Sequence, residues 1–148
     1  MIYVTGDIHG NMRRFRSLMK QIRLGPEDTL YVLGDVMDRF PDGYKILKKL
    51  LSMPNAKLLM GNHEYMLLGV LDPFSAPQDA FLLQRNRERW YRNGGRVTEN
   101  SFRHIPSVRR GELCSLLREL PLSYDVTVGE RHYRLLHGGD PEMYEREE

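Results

Sequence analysis

The sequence predicts an α/β fold that begins with a parallel sheet and ends with a β-hairpin. Three short apolar runs rich in strand-forming residues occur in the first sixty residues, and each ends at a glycine: Gly6, Gly34 or Gly61. Amphipathic helical patterns fill the two intervals between these runs, and two later alternating segments flank the turn Gly129-Glu130. Strands and helices that alternate at this spacing are typical of right-handed βαβ units, which build a parallel sheet.

The first half of the chain contains three predicted strands and two predicted helices. The strands cover 2–5, 29–33 and 56–60. In the first helix, apolar residues recur at steps of three and four from Met12 to Ile22. Asn11 is suited to cap the start of this helix, and Gly25-Pro26 is expected to end it. The second helix follows the apolar stripe within 44–51.

The second half is expected to hold a helical insertion at about 71–120, followed by the hairpin. A short helix is predicted over 63–70, and the prolines within 71–77 indicate a loop. Further helices are predicted over 78–92, ending at Asn93-Gly94-Gly95, and over about 107–119, with Ser107 as a cap. The hairpin strands are predicted at 122–128 and 133–136.

Composition limits the class of protein. The chain has 148 residues, of which 41% are apolar and 28% charged, and these proportions suit one domain spanning 1–148 with a packed core. The single cysteine, Cys114, excludes an internal disulfide, and its leucine neighbours predict a buried apolar role. A reduced, cytoplasmic location is expected, since no stretch of the sequence is typical of a signal peptide or a membrane span.

The charge is distributed unevenly. The net charge is +2, but residues 1–138 carry +6 and the last ten residues carry −4. A mildly basic body suits an anionic or phosphorylated substrate, although a solvated surface with an acidic tail explains the same pattern.

Polar residues suited to metal chemistry follow each predicted strand. Asp7 and His9 follow the first strand, Asp35 the second and Asn62 the third. Each interval between these strands is one βαβ unit, so the carboxyl ends of parallel strands should bring these residues to one edge of the sheet. His137 follows the last strand of the hairpin.

Carboxylate, amide and imidazole groups in one cluster are typical ligands of Mn²⁺, Fe²⁺ or Zn²⁺. Two divalent ions held about 3.5–4 Å apart need a bridging ligand, and Asp35 is the natural bridge because it lies on the middle segment. Asp7 and His9 would complete one site, while Asn62 and His137 would complete the other. Such a pair of ions activates water for in-line attack on phosphorus.

Three further residues suit phosphoryl chemistry. His63 directly follows Asn62, where it is placed to protonate a leaving-group oxygen. Asp38 could hold the other ring nitrogen of His63, and the planar guanidinium of Arg39 could bind two phosphate oxygens.

These segments resemble the motifs of a known family. Gly-Asp-Ile-His-Gly at 6–10, Gly-Asp-Val-Met-Asp-Arg at 34–39 and Gly-Asn-His-Glu at 61–64 are similar to those of the calcineurin-like metallophosphoesterases, and most similar to the phosphoprotein phosphatase branch. The resemblance implies a four-layer β-sandwich flanked by helices and two divalent ions, with Mn²⁺ favoured over Fe or Zn. It implies metal binding by Asp7, His9, Asp35, Asn62 and His137, and catalysis by His63, Asp38 and Arg39. Glu64 is expected to support its loop rather than react.

Two departures from the family pattern affect the expectations. Phe40 replaces the usual glycine after Asp-Arg, which puts substrate choice in doubt. No histidine follows His137, although the family has a later one, so the second metal would lose a ligand. The chain is therefore expected to be C-terminally truncated and to lack its last strands. An exposed sheet edge would then favour homo-oligomers.

Several functions remain open at this point. The preferred one is a metal-dependent phosphoesterase that acts on a phosphorylated protein, as a Ser/Thr protein phosphatase does, or on a small phosphoester. A dinucleoside polyphosphate hydrolase is the alternative, and a truncated, weakly active metal-binding domain is another. A nucleic-acid-binding or protein-binding module built on the basic segment 85–92 is disfavoured. In a helix, Arg85, Arg89 and Arg92 share one face while Leu83 and Trp90 share another, as in an amphipathic helix with a solvated basic edge.

Overall fold

The computed structural model describes residues 1–138 and shows a mixed α/β architecture. The last ten residues, 139–148, whose net negative charge is noted above, lie outside the described residues. The described strands are β1 (Ile2–Thr5), β2 (Thr29–Val32), β3 (Ala56–Leu58), β4 (Ser123–Val128) and β5 (Arg131–Leu136). The described helices are α1 (Met12–Ile22), α2 (Gly43–Ser52), α3 (Asn62–Leu71), α4 (Ala80–Arg92), α5 (Gly95–Phe102) and α6 (Ser107–Arg118).

The first three strands form a parallel sheet in the order β1-β2-β3, which confirms the predicted βαβ arrangement. In β2, Leu30, Tyr31 and Val32 are all buried, as expected for the central strand of a covered parallel sheet. Register pairs Thr5 with Val32 and Val32 with Leu58, so all three strands end at the same edge. This common edge carries the motif residues.

The helices that join these strands bury their apolar stripes against the sheet. Asn11 caps α1 as predicted, because its side chain accepts a hydrogen bond from the Arg14 amide. The helix ends earlier than Gly25-Pro26, with Arg23 in the left-handed region at φ 46°. In α2, the fully buried residues are Ile46, Leu47 and Leu50.

The helical insertion predicted at about 71–120 contains three helices. Of these, α4 and α6 match the predictions, except that Pro106 rather than Ser107 precedes α6 and no side chain caps it. Helix α5 was not predicted, because its sequence is largely polar and begins at a glycine pair. Its stability comes from tertiary contacts, as Thr98 and Phe102 are buried and Phe102 packs edge-on against Tyr44.

The predicted hairpin forms from β4 and β5, which pair antiparallel. It contacts the parallel sheet where the ring of Tyr124 packs against Tyr31, with centroids 5.3 Å apart. The Met60 amide also donates to the Pro121 carbonyl at 2.9 Å. These contacts place the end of β5 beside the edge where β1, β2 and β3 end. Within the described residues, no helix has the length and apolar character needed to cross a membrane.

Candidate metal centre

The turns that follow β1 and β2 have unusual backbone conformations. Asp7, His9, Asp35, Asp38 and Arg39 all have φ between 47° and 73°, in the left-handed region that non-glycine residues rarely adopt. Each such residue costs free energy that the surrounding structure must offset, and residues of this kind concentrate at functional sites. The local chain geometry therefore marks the predicted site residues independently of their chemistry.

Two glycines allow these turns to approach one another. A Cβ on Gly34 would lie 2.5 Å from the Cα of Gly61, and a Cβ on Gly61 would overlap the Asp35 and Glu64 side chains. Gly34 also has a φ of 92°. Glycine is thus required at both positions, because the β2 and β3 turns are in direct backbone contact.

The carboxylate of Glu64 joins the two turns. It is 1% exposed, and its oxygens accept hydrogen bonds from four backbone amides, those of Asp35, Val36, Met37 and Gly61, at 2.8–3.2 Å. Burial raises the pKa of Glu64, while the hydrogen bonds from the backbone amides oppose that rise. Glu64 has no contact that suggests a reaction, in agreement with the supporting role expected from the sequence.

Asp35 lies at the centre of the cluster. Its Oδ2 atom is 3.4 Å from Nε2 of His137, 3.9 Å from Nε2 of His9 and 4.0 Å from Nε2 of His63. Its other oxygen accepts a hydrogen bond from the His63 amide at 3.0 Å. One carboxylate oxygen is therefore surrounded by three imidazole nitrogens.

The other nitrogen of each ring is already engaged. Nδ1 of His9 donates to the Met37 carbonyl at 3.0 Å, and Nδ1 of His137 donates to the Leu33 carbonyl at 2.6 Å. A carbonyl oxygen can only accept, so each of these rings carries a proton on Nδ1, and its Nε2 faces Asp35. Backbone carbonyls orient the imidazole ligands of metal sites in this way.

The ligand-type atoms form two groups that share Asp35. One group is Asp7, Asp35 and His137, and the other is His9, Asp35 and His63, with all atoms of a group within 4.8 Å of one another. Asn62 lies beside the first group, with its side-chain amide 2.7 Å from Nε2 of His137. These carboxylate, imidazole and amide donors fit borderline divalent ions such as Mn²⁺, Fe²⁺ or Zn²⁺.

The structure thus brings together all five residues that the sequence predicted as metal ligands. The assignment of these ligands to one ion or the other stays a prediction. Asp7 groups with His137, whereas the sequence-based division pairs Asp7 with His9. The sharing of Asp35 between both groups agrees with its predicted bridging position.

Asp38 and His63 form a buried pair at the inner side of the cluster. Nδ1 of His63 lies 2.7 Å from Oδ2 of Asp38, and their side chains are 3% and 0% exposed. Burial lowers the pKa of His63, but the hydrogen bond to Asp38 and the charges of Asp35 and Asp38 outweigh it, so the net pKa is raised. The imidazole therefore keeps a proton more readily than an ordinary histidine does.

Two residues from the insertion also bind Asp38. The indole Nε1 of Trp90 donates to its Oδ2 at 2.7 Å, and the Thr98 hydroxyl donates to its Oδ1 at 2.6 Å. The sequence pattern indicates neither role, because Trp90 lies on the apolar face of an amphipathic helix and no element is predicted around Thr98. The signal that could have indicated them is the Asn93-Gly94-Gly95 turn, because it joins the two helices that carry Trp90 and Thr98.

Arg39 and Phe40 lie on the exposed rim of the site. The Arg39 amide donates to the Gly94 carbonyl at 3.0 Å, which fixes the backbone while the side chain remains exposed. Phe40 is 48% exposed, so the position where the family has glycine presents an aromatic ring to solvent.

The remaining histidines lie apart from both metal-type groups. His104 is an exposed turn residue, and exposed His132 contacts the Thr127 hydroxyl through Nδ1 at 2.8 Å. In α4, Arg85, Arg89 and Arg92 are exposed while Trp90 is buried, as expected for an amphipathic helix with a solvated basic face.

A family model described as calcineurin-like phosphoesterase matches residues 1–147. The chain therefore belongs to the calcineurin-like phosphoesterase family, and the family resemblance found in the sequence is confirmed. Its assignment to the protein phosphatase branch is not supported by the curated relatives described next.

Symmetrical bis(5'-nucleosyl)-tetraphosphatases are similar to about half of the chain. That of Proteus mirabilis is 40% identical over 75 residues, which are 49% of this chain and 28% of the relative. That of Photorhabdus laumondii is 40% identical over 70 residues, or 46% of this chain and 26% of the relative. The matched region therefore takes in only about a quarter of these relatives' length.

Solved structures of two kinds share the fold. A Saccharomyces cerevisiae protein serine/threonine phosphatase with similarity to human phosphatase PP5 matches at a TM-score of 0.54 and 22% identity, over 82% of this chain and 33% of that one. A putative diadenosine tetraphosphatase matches at the same TM-score and identity, over 82% of this chain and 43% of that one. At this level of identity the likeness supports the fold, and it does not distinguish between the two activities.

Proposed function

We propose that this chain carries the catalytic centre of a metal-dependent phosphoric ester hydrolase that acts on dinucleoside polyphosphates. The observation that carries the proposal is the position of Asp35, whose Oδ2 atom lies within 4.0 Å of three imidazole Nε2 atoms. The choice of substrate rests on the curated relatives, which are tetraphosphatases. The sequence alone favoured a phosphorylated protein, and the relatives favour the alternative.

In this proposal, Asp7, His9, Asp35, Asn62 and His137 hold two divalent ions. When bound, the ions would activate water and neutralise charge on the phosphoryl oxygens. The protein's own contribution to their binding is preorganisation: backbone carbonyls fix the rings of His9 and His137, and the backbone amide of His63 fixes the Asp35 carboxylate.

His63 is proposed to act as the general acid. Its Nδ1 proton is held by Asp38, so Nε2 is the atom that would deliver a proton to the departing oxygen. The net rise of its pKa keeps this proton available near neutral pH. Arg39, exposed at the rim, is proposed to bind a phosphate group of the substrate through its planar guanidinium.

The test compares two substrates under one condition. Purified protein is incubated with Mn²⁺ and either diadenosine tetraphosphate or a phosphoserine peptide, and products are separated by ion-exchange chromatography. The proposal predicts a kcat/KM for the dinucleotide at least about tenfold above that for the peptide. A higher kcat/KM for the peptide would contradict the proposal and support the hypothesis of a protein phosphatase.

Matched variants distinguish hydrolysis at this site from hydrolysis by a contaminating enzyme. Asp35→Asn should abolish hydrolysis, because it removes the carboxylate shared by both metal-type groups. Glu88→Gln changes an exposed carboxylate on α4 and should retain wild-type activity. Activity that survives Asp35→Asn would show that hydrolysis does not arise at this centre.

A further inference from the structure

The turn between α4 and α5 packs directly on Asp38-Arg39. Trp90, Gly94 and Thr98 make the contacts, and we refer to these three residues together with Gly95 as the α4–α5 brace. Trp90 and Thr98 bind the Asp38 side chain, and the carbonyl of Gly94 accepts a hydrogen bond from the Arg39 amide. The segment therefore contacts both members of a dipeptide whose backbone is in the left-handed region.

The brace holds the Asp38 carboxylate in one orientation. Oδ2 receives the indole N–H of Trp90 and the imidazole of His63, both at 2.7 Å, while Oδ1 receives the Thr98 hydroxyl at 2.6 Å. The same hydroxyl accepts a hydrogen bond from the Asp38 amide at 3.1 Å, so it links backbone and side chain of that residue. Both carboxylate oxygens are thus hydrogen-bonded in a site that excludes water, where hydrogen bonds to a charged group are strongest.

The glycines make this approach possible. Gly94 has a φ of 93°, and a Cβ there would lie 2.8 Å from Cγ of Arg39. A Cβ on Gly95 would overlap the indole ring of Trp90. A side chain at either position would push the segment away from Asp38, so this close contact requires glycine at both.

We propose that Trp90 and Thr98 are positioning residues for the general acid: they hold Asp38 so that Nδ1–H of His63 donates to it and the second ring proton, on Nε2, faces the leaving group. This inference rests on the proposed function, since it takes His63 as the general acid and Asp38 as its partner. It gives a catalytic purpose to the helical insertion, a segment that contains none of the proposed metal ligands.

The distinguishing feature of this role is its dependence on the leaving group. A general acid matters most when the departing oxygen is strongly basic and little when it is already stable as an anion. Loss of positioning should therefore slow hydrolysis of an alkyl phosphate much more than hydrolysis of an aryl phosphate with an electron-withdrawing nitro group. A merely structural role would lower both rates equally.

The first experiment measures kcat and KM of Thr98→Val, Thr98→Ser and Trp90→Phe with glycerol phosphate and with p-nitrophenyl phosphate. We expect Thr98→Val and Trp90→Phe to lower kcat for the alkyl ester about 10- to 100-fold, with a much smaller loss for the aryl ester and little change in KM. Thr98→Ser keeps the hydroxyl and should restore the rate. Equal losses on both esters, or failure of serine to restore the rate, would overturn the proposal.

Two neighbouring residues serve as matched controls. Ser101→Ala removes a hydroxyl from α5 that donates to carbonyls of its own helix, and Tyr91→Phe removes an aromatic donor from α4 that bonds to Glu99. Both should retain the wild-type ratio between the two esters. A selective loss on the alkyl ester in either control would show that the effect does not pass through Asp38.

The second experiment requires no catalysis and so separates this inference from the proposed function. Long-range ¹H–¹⁵N correlation spectra of the histidine rings report which nitrogen carries the proton. Nδ1 of His63 should carry a hydrogen-bonded proton in the wild type and in both controls, and the ¹⁵N pattern of the ring should change in Thr98→Val and Trp90→Phe. An unchanged pattern in both brace variants would contradict the inference, even where the wild type hydrolyses neither ester.

Discussion

Replacement of Glu64 by glutamine should destabilise the fold far more than a single surface change does. The carboxylate is almost fully buried, and each of its oxygens accepts two backbone amides: Oε1 from Val36 and Met37, and Oε2 from Asp35 and Gly61. Glutamine keeps one oxygen and puts an NH₂ group in place of the other. Two backbone amides then face the NH₂ group of glutamine instead of an oxygen, so they lose their hydrogen-bond acceptor.

The size of the effect follows from these contacts. Each buried donor left without a partner costs about 1–3 kcal/mol, so Glu64→Gln should lower the free energy of unfolding by about 2–6 kcal/mol. Domains of this size are stable by only about 5–15 kcal/mol. The loss should also loosen Asp35, whose amide is one of the two donors on Oε2.

Urea unfolding followed by circular dichroism measures this difference, with Glu88→Gln as the control. Glu88 is exposed, and within residues 1–138 its carboxylate accepts only from Gln84, so its replacement should change the free energy of unfolding by no more than about 0.5 kcal/mol. A Glu64→Gln variant as stable as the Glu88→Gln control would refute the reasoning that this carboxylate joins the two turns.

Three further predictions concern other parts of the molecule. Gly34→Ala should destabilise the protein by more than about 1 kcal/mol in urea unfolding, because the site requires a positive φ and backbone contact, whereas Gly111→Ala in open space on α6 should stabilise it slightly. Burial raises the pKa of the Cys114 thiol to about 11, so iodoacetamide at pH 8 should modify it only after unfolding in guanidinium, and rapid labelling of the folded protein would contradict this burial. Arg39→Ala should raise KM for diadenosine tetraphosphate about tenfold or more while the free energy of unfolding stays unchanged, and an unchanged KM would remove Arg39 from phosphate binding.

The sequence predicted the first half of the fold well, because strong local signals agree there with the tertiary structure. The parallel sheet is confirmed in order and direction, and the three strand-end motifs meet at its edge. Strand ends at a common edge need only the βαβ rule, so the meeting of Asp7, Asp35 and Asn62 could be inferred without coordinates.

The structure added features that depend on contacts between distant segments. Helix α5 has a weak sequence pattern because its buried residues Thr98 and Phe102 contact Asp38 and Tyr44, which lie about sixty residues away in the chain. The left-handed backbone at Asp35 and Asp38 is likewise imposed by packing, since neither residue prefers that conformation. The orientation of His9 and His137 depends on carbonyls that no sequence pattern marks.

The central claim is that Asp35 joins two metal ions at one centre, and a count of bound ions tests it most directly. Equilibrium dialysis against Mn²⁺, followed by elemental analysis, gives the number of ions per chain for the wild type, Asp35→Asn and the Glu88→Gln control. We expect about two ions in the wild type and in the control, and a loss of both in Asp35→Asn. One ion or none in the wild type, or two ions retained by Asp35→Asn, would contradict the account.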